Sequence, residues 1–135
     1  MGTGRIGTLP SKLTGAALVE LAARVLPPTA WGVRGSGDPD RVVETVAVCG
    51  GSGDPFLGDA MAADAYLTSD LRHHPASEYV SNGGPVLLDA AHWATERPWL
   101  DRVAAEVAAA LGVRTVVSDI DTDPWTMHCS SKEVR

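Results

Sequence analysis

Apolar positions along this chain alternate between helical and strand spacing. After Thr14, which suits a helix N-cap, Leu18, Leu21, Ala22 and Val25 recur at helical intervals, and Pro27-Pro28 ends the run. Residues 31–34 read as a short strand, and Gly35-Ser36-Gly37-Asp38-Pro39-Asp40 as a turn. Residues 42–49 are apolar and β-branched almost throughout, the pattern of a strand buried on both faces. Gly50-Gly51-Ser52-Gly53-Asp54-Pro55 then opens a helix, with Asp54 as cap and Pro55 in the first turn, running to about Ala63. Strands follow at 65–68 and 86–90, separated by a loop or short helix over 71–80 and the turn Asn82-Gly83-Gly84-Pro85.

The longest helix is expected over 95–111. Trp99, Val103 and Val107 lie on one stripe beside Leu100, Ala104 and Ala108, and Gly112 suits the C′ position. Residues 113–118 read as a last strand, the first ten residues as an extended lead-in, and 130–135 as a flexible tail. The alternation predicts a single α/β domain over 1–129, with a mixed, largely parallel sheet flanked by helices.

Composition narrows the classes. At 135 residues the chain holds one core, and 44% hydrophobic against 21% charged residues is the balance of a globular domain, not a disordered one. A net charge of −6 without a Lys/Arg cluster argues against a nucleic-acid or anionic-membrane surface. No apolar run approaches the roughly 18 residues of a membrane span, and the first residues lack a signal peptide's apolar core. Two cysteines make no disulfide framework, so a reducing, cytoplasmic setting is expected.

In a parallel sheet the ligand crevice lies at the carboxyl ends of the strands. Three predicted strands end there in Cys49-Gly50-Gly51-Ser52-Gly53, in Thr68-Ser69-Asp70 and in Asp89-Ala90-Ala91-His92. The glycine loop is either an anion cradle of backbone N–H groups or a tight strand-to-helix turn needing positive φ. It is neither a P-loop nor a dinucleotide fingerprint. Asp70, His73 and His74 offer metal ligands or acid–base groups, or simply a surface loop with histidines. His92 and Glu96, four apart, share one face if a helix has begun, a spacing that suits two ligands of one ion or a helix-initiating pair. Cys49 at a strand end is a weaker candidate nucleophile, for a cysteine amidohydrolase, against the ordinary reading of a buried thiol. The four tryptophans show no stacking-platform spacing and read as core or interface residues.

Taken in order, several segments resemble one family, the NGG-interacting-factor-3-like proteins, also known as GTP cyclohydrolase 1 type 2 homologs. They are Gly4-Arg5-Ile6-Gly7-Thr8-Leu9-Pro10, Val46-Ala47-Val48-Cys49-Gly50-Gly51-Ser52-Gly53, Thr68-Ser69-Asp70-Leu71-Arg72-His73-His74, Asp89-Ala90-Ala91-His92-Trp93-Ala94-Thr95-Glu96 and Thr122-Asp123-Pro124-Trp125. The resemblance spans nearly the whole chain, fits the C-terminal half of such a protein, and is closest in wording to actinobacterial members. It implies one lobe of a two-lobed α/β fold with a dinuclear site for divalent ions (Zn, Fe or Mn) in the cleft. His92 and Glu96 match the second-half ligands. Asp70 and His74 match groups placed near the metals, orienting water or moving protons, with Ser69 where the family favours Gly. No role carries over to His73. Gly50, Gly51, Ser52 and Gly53 would hold an anionic group of the substrate or cofactor.

The missing first half, with the remaining ligands, is the implied partner, and ring-like homo-oligomers are implied as well. The chain therefore reads as a C-terminal piece in which a complete two-metal site does not form. The implied activity of the whole is metal-dependent hydrolysis. The alternative is a non-catalytic metal-binding scaffold or regulatory protein.

Overall fold

A computed structural model describes residues 3–130. Five strands form one sheet: β1 (Arg5–Thr14), β2 (Val33–Ser36), β3 (Val42–Ser52), β4 (Ala65–Ser69) and β5 (Val86–Ala90). Their order is β1-β3-β4-β5-β2. The three central strands are parallel, and the two edges, β1 against β3 and β2 against β5, are antiparallel. The helices are α1 (Gly15–Val25), α2 (Leu57–Ala60) after a 3₁₀ turn at Asp54–Phe56, α3 (His73–Ser81) and α4 (His92–Leu111). The expected mixed α/β sheet flanked by helices is the observed one. The predicted tail lies, apart from Ser130, outside the described residues.

Alternation along the central strands sorts the core into two layers. Ala65, Val86 and Leu88 face Leu18 and Ala22 of α1, with Val43 among them. Tyr66 and Leu87 face the other way, onto Leu57, Ala60, Ala63 and Tyr79. Burial on both faces thus belongs to β4 and β5, which both core layers cover. It does not hold for β3, where exposed Val42 and Val48 alternate with buried Val43, Ala47 and Cys49.

Local signals placed several ends correctly. The Thr14 hydroxyl accepts the Ala17 N–H and caps α1. Gly112 takes φ 65° after α4, where its N–H reaches the Ala108 carbonyl. Other expectations need correction. The lead-in is the edge strand β1, and its register slips between Thr8 and Leu13 around Pro10, where an edge strand tolerates a missing donor. The strand expected at 31–34 is displaced to Val33–Ser36. The helix expected up to Ala63 stops at Ala60. Asp54 caps nothing, because its carboxylate is engaged with Arg72. Residues 113–118 are not a strand: among the described residues no ladder pairs with them, and the hydroxyl of Thr115 instead donates to the Ala104 carbonyl of α4. Of the apolar stripe on α4, Trp99, Leu100 and Val107 remain exposed.

Candidate functional site

β3, β4 and β5 deliver their carboxyl ends to one edge, and the first turn of α4 crosses it. His92 opens that helix and Glu96 follows one turn later on the same face. Glu96 Oε1 stands 3.4 Å from His92 Nε2. The other ring nitrogen, Nδ1, lies 2.6 Å from Asp70 Oδ2, at the end of β4. A carboxylate can only accept, so Nδ1 carries a hydrogen toward Asp70, and Nε2 is the nitrogen that faces Glu96. The Asp70 hydrogen bond raises the imidazole above its usual pKa, partial burial opposes this, and Glu96 adds to the rise.

Asp70 is held in an uncommon conformation. Its φ is 55°, and among the described residues it is the only non-glycine with positive φ. Two carboxylates from neighbouring elements secure the residues that follow. The Leu71 N–H is 3.4 Å from Asp89 Oδ1 at the end of β5. The Arg72 N–H donates to Asp54 Oδ1 at 3.1 Å, and its guanidinium Nε donates to Asp54 Oδ2 at 2.9 Å. Asp54 and Asp89 are both buried. Asp89 is also paired with Arg34 of β2, whose guanidinium carbon stacks 4.3 Å from the Trp31 ring centre.

The glycine loop packs against this trio. The Gly51 N–H donates to the Thr95 hydroxyl at 2.8 Å, which in turn donates to the His92 carbonyl. The Gly53 N–H bonds the Ser69 carbonyl, while the hydroxyls of Thr68 and Tyr66 donate to the carbonyls of Gly51 and Gly53. These two amides are therefore already engaged. Gly51 has φ 72°, and a Cβ there would lie 2.6 Å from Glu96 Oε1 and 3.1 Å from His92 Nε2. A glycine is required because the backbone touches the candidate ligands.

The structure thus brings together Asp70, His92, Glu96 and Gly51. His74 sits apart from this cluster. It is exposed in the first turn of α3, its ring edge-on to His73 with centres 5.3 Å apart, and it is not among the residues lining the cavity at His92. Cys49 is buried in the layer with Tyr66. Sequence reasoning missed Asp54, Asp89 and Arg34 as supports, and missed the meeting of Trp31 and Trp125, whose ring centres are 6.5 Å apart. Their separation along the chain leaves no local signal.

The donor set suits a divalent ion in part. An imidazole Nε2 whose Nδ1–H is held by a carboxylate is the usual arrangement of a metal-ligating histidine, and Glu96 offers oxygen beside it. Asp70 is spent on the far nitrogen and is not a third ligand. Among the described residues no group of three or more His, Cys, Asp or Glu side chains is placed to hold an ion.

The family model described as Duf34/NIF3 (NGG1p interacting factor 3) matches residues 1–124, and the chain belongs to that family. It is 50% identical over 137 residues to the GTP cyclohydrolase 1 type 2 homolog of Streptomyces coelicolor, covering 96% of this chain and 48% of that protein. It is 48% identical over 133 residues to the one from Mycobacterium leprae, covering 94% of this chain and 34% of that protein. Among solved structures it is similar to a Bacillus cereus protein related to NIF3, with TM-score 0.76 and 29% identity over 93% of this chain and 35% of that one. The chain spans about a third to a half of the length of these relatives. No described helix is long and apolar enough to cross a membrane.

Proposed function

We propose that this chain is the C-terminal part of a dinuclear-metal-dependent hydrolase. One observation carries the reading: His92 is held at Nδ1 by Asp70 and directs Nε2 toward Glu96, at a cavity of about 570 Å³. His92 and Glu96 would hold a divalent ion (Zn, Fe or Mn), and the remaining ligands would come from the part of the longer relatives that this chain does not match. Ions bound there would polarise a substrate oxygen and lower the pKa of water toward neutrality. Asp70 orients the imidazole and fixes its tautomer, which raises its basicity as a ligand. Thr95 and Gly51 lock the start of α4 to the end of β3 and keep Glu96 facing the imidazole. His74, outside the cavity lining, is assigned no part in this reading.

The exposed apolar side of α4 and the unpaired segment 113–118 supply a surface for the missing half, and assembly into homo-oligomers belongs to the same proposal. The two free cysteines fit a reducing cytoplasm.

The test is hydrolysis of phosphoester and cyclic nucleotide substrates by the full-length protein with Mn, Zn or Fe. Turnover that needs metal and is lost in His92→Ala is the expected result. Tight metal binding without turnover would replace this reading with that of a metal-handling scaffold.

A further inference from the structure

We propose that the groove between α3 and β2 binds a small organic acid, its carboxylate held by Arg34 and Arg72 and its apolar stem laid along α3. The site is separate from the one in the hydrolase reading, since neither His92 nor Glu96 lines it. Its volume, about 510 Å³, falls within the roughly 300–1,000 Å³ of small-molecule sites.

The two cations come from different elements, Arg34 from the edge strand β2 and Arg72 from the start of α3. Each is pinned by one buried carboxylate. Arg34 donates through Nε and Nη2 to Asp89 Oδ2, and Arg72 through Nε and Nη2 to Asp54 Oδ2. The Trp31 ring stacks on the Arg34 guanidinium at 4.3 Å. In both arginines this pairing occupies one edge of the guanidinium, and Nη1 has no hydrogen-bond partner among the described residues. The arginine side chains stay 59% and 77% exposed, against 9% and 6% for Asp89 and Asp54. A ligand in the groove therefore meets oriented N–H donors, with the acceptors beneath them. A planar fork that is already fixed loses little freedom when it takes a carboxylate.

Asp89 places both guanidiniums at one end of the groove, because it also accepts the Leu71 N–H and Arg72 is the next residue. Behind them the lining is apolar, with Leu71, Ala76, Val80 and Leu87. The nine residues of α3 make this wall roughly 13 Å long at ~1.5 Å per residue. The shape asks for an anionic head and a short apolar stem. A buried carboxylate offsets each arginine charge, so the groove favours a monoanion over a phosphate dianion.

The test is a ¹⁵N–¹H NMR titration of the metal-free chain with sodium hexanoate, read at the arginine Nε–H signals and the α3 amides. Saturable shifts are expected at Arg34, Arg72 and along 73–81. Affinity should rise about two- to fourfold for each methylene from butyrate to hexanoate. Hexanol, with the stem and no charge, should not shift the arginine signals. Replacing either arginine leaves a buried carboxylate unpaired and risks unfolding, so the main variant is at Ser77 in the groove lining. Ser77→Glu adds a competing carboxylate and leaves both ion pairs intact, and it should weaken hexanoate about tenfold. Ser77→Gln, of the same size, should stay near the parental affinity. Shifts confined to other elements, affinity independent of stem length, or equal shifts with hexanol would overturn the proposal. So would equal weakening in the two Ser77 variants, or inorganic phosphate binding more tightly than hexanoate. Because the assay contains no metal, failure of the hydrolase reading leaves its outcome unchanged.

Discussion

Asp70 reaches the Nδ1 of His92 at 2.6 Å from a backbone held at φ 55°. The contact joins the end of β4 to the start of α4 and selects which imidazole nitrogen faces Glu96. A left-handed non-glycine residue persists only where its surroundings over-determine it. Here the surroundings are Asp89 on the Leu71 N–H and Asp54 on Arg72.

Removing the orienting carboxylate should act on metal affinity more than on stability. Asp70→Ala is expected to weaken zinc binding to the chain by roughly 10-fold or more, the lower end of the effect of losing a ligand's supporting group. Calorimetric titration of the two proteins at neutral pH measures it. Equal affinities would mean that the Asp70 contact does not tune the imidazole.

The parent chain itself should bind metal weakly. Two ligands on one helix leave an ion mostly hydrated, whereas stable protein sites supply three or four protein ligands. Two tightly held ions per chain in the same titration would show that ligands from the unmatched part of the longer relatives are not needed, or that a second copy supplies them.

Gly51→Ala should disturb the site directly. The added Cβ would meet Glu96 Oε1 at 2.6 Å, and the φ of 72° is unfavourable for alanine. A loss of about 1–2 kcal/mol in urea unfolding is expected from the backbone alone, with Glu96 displaced from His92 in a crystal structure of the variant. A fully stable variant with Glu96 unmoved would contradict the close packing described for the loop.

The hold on residues 71–72 can be loosened from a distance. Asp54→Ala removes the acceptor of the Arg72 N–H and guanidinium, and about 1–3 kcal/mol of stability should go with it. Amide hydrogen exchange at Arg72 should speed up beyond that global change. Uniform acceleration across the domain would mean that Asp54 stabilises the fold without specifically ordering this loop.

Asp64 gives a pH signature away from the site. Its Oδ2 accepts the N–H groups of Glu44 and Thr45 and the Thr45 hydroxyl, and the Thr45 amide contributes most to lowering its pKa. A depressed carboxyl pKa stabilises the fold above the unfolded value near ~3.9, and the contribution is lost as pH falls through the folded value. Asp64→Ala should therefore be less stable than the parent at pH 7, and the gap should narrow below about pH 4. A gap independent of pH would assign the effect to packing instead of charge.

Much of the framework was legible because its causes are local. Thr14, the Pro27-Pro28 stop, the apolar run Val86–Ala90 and Gly112 each act within a few residues, through a cap, a lost N–H, side-chain burial or a left-handed φ. The pairing of His92 with Glu96 was equally legible, since one helical turn suffices to bring them together. Tertiary structure decided what depended on neighbours distant in the chain. β1 is a strand because β3 offers it a ladder, and residues 113–118 have strand composition without a described partner. Asp54 left its predicted cap for Arg72, whose guanidinium and N–H together are stronger donors than a helix end. Asp70 met His92, and Trp31 met Trp125, only when the sheet brought its strand ends to one edge. Spacing along a chain encodes contacts within an element, whereas contacts between elements depend on the sheet order and on where each strand stops.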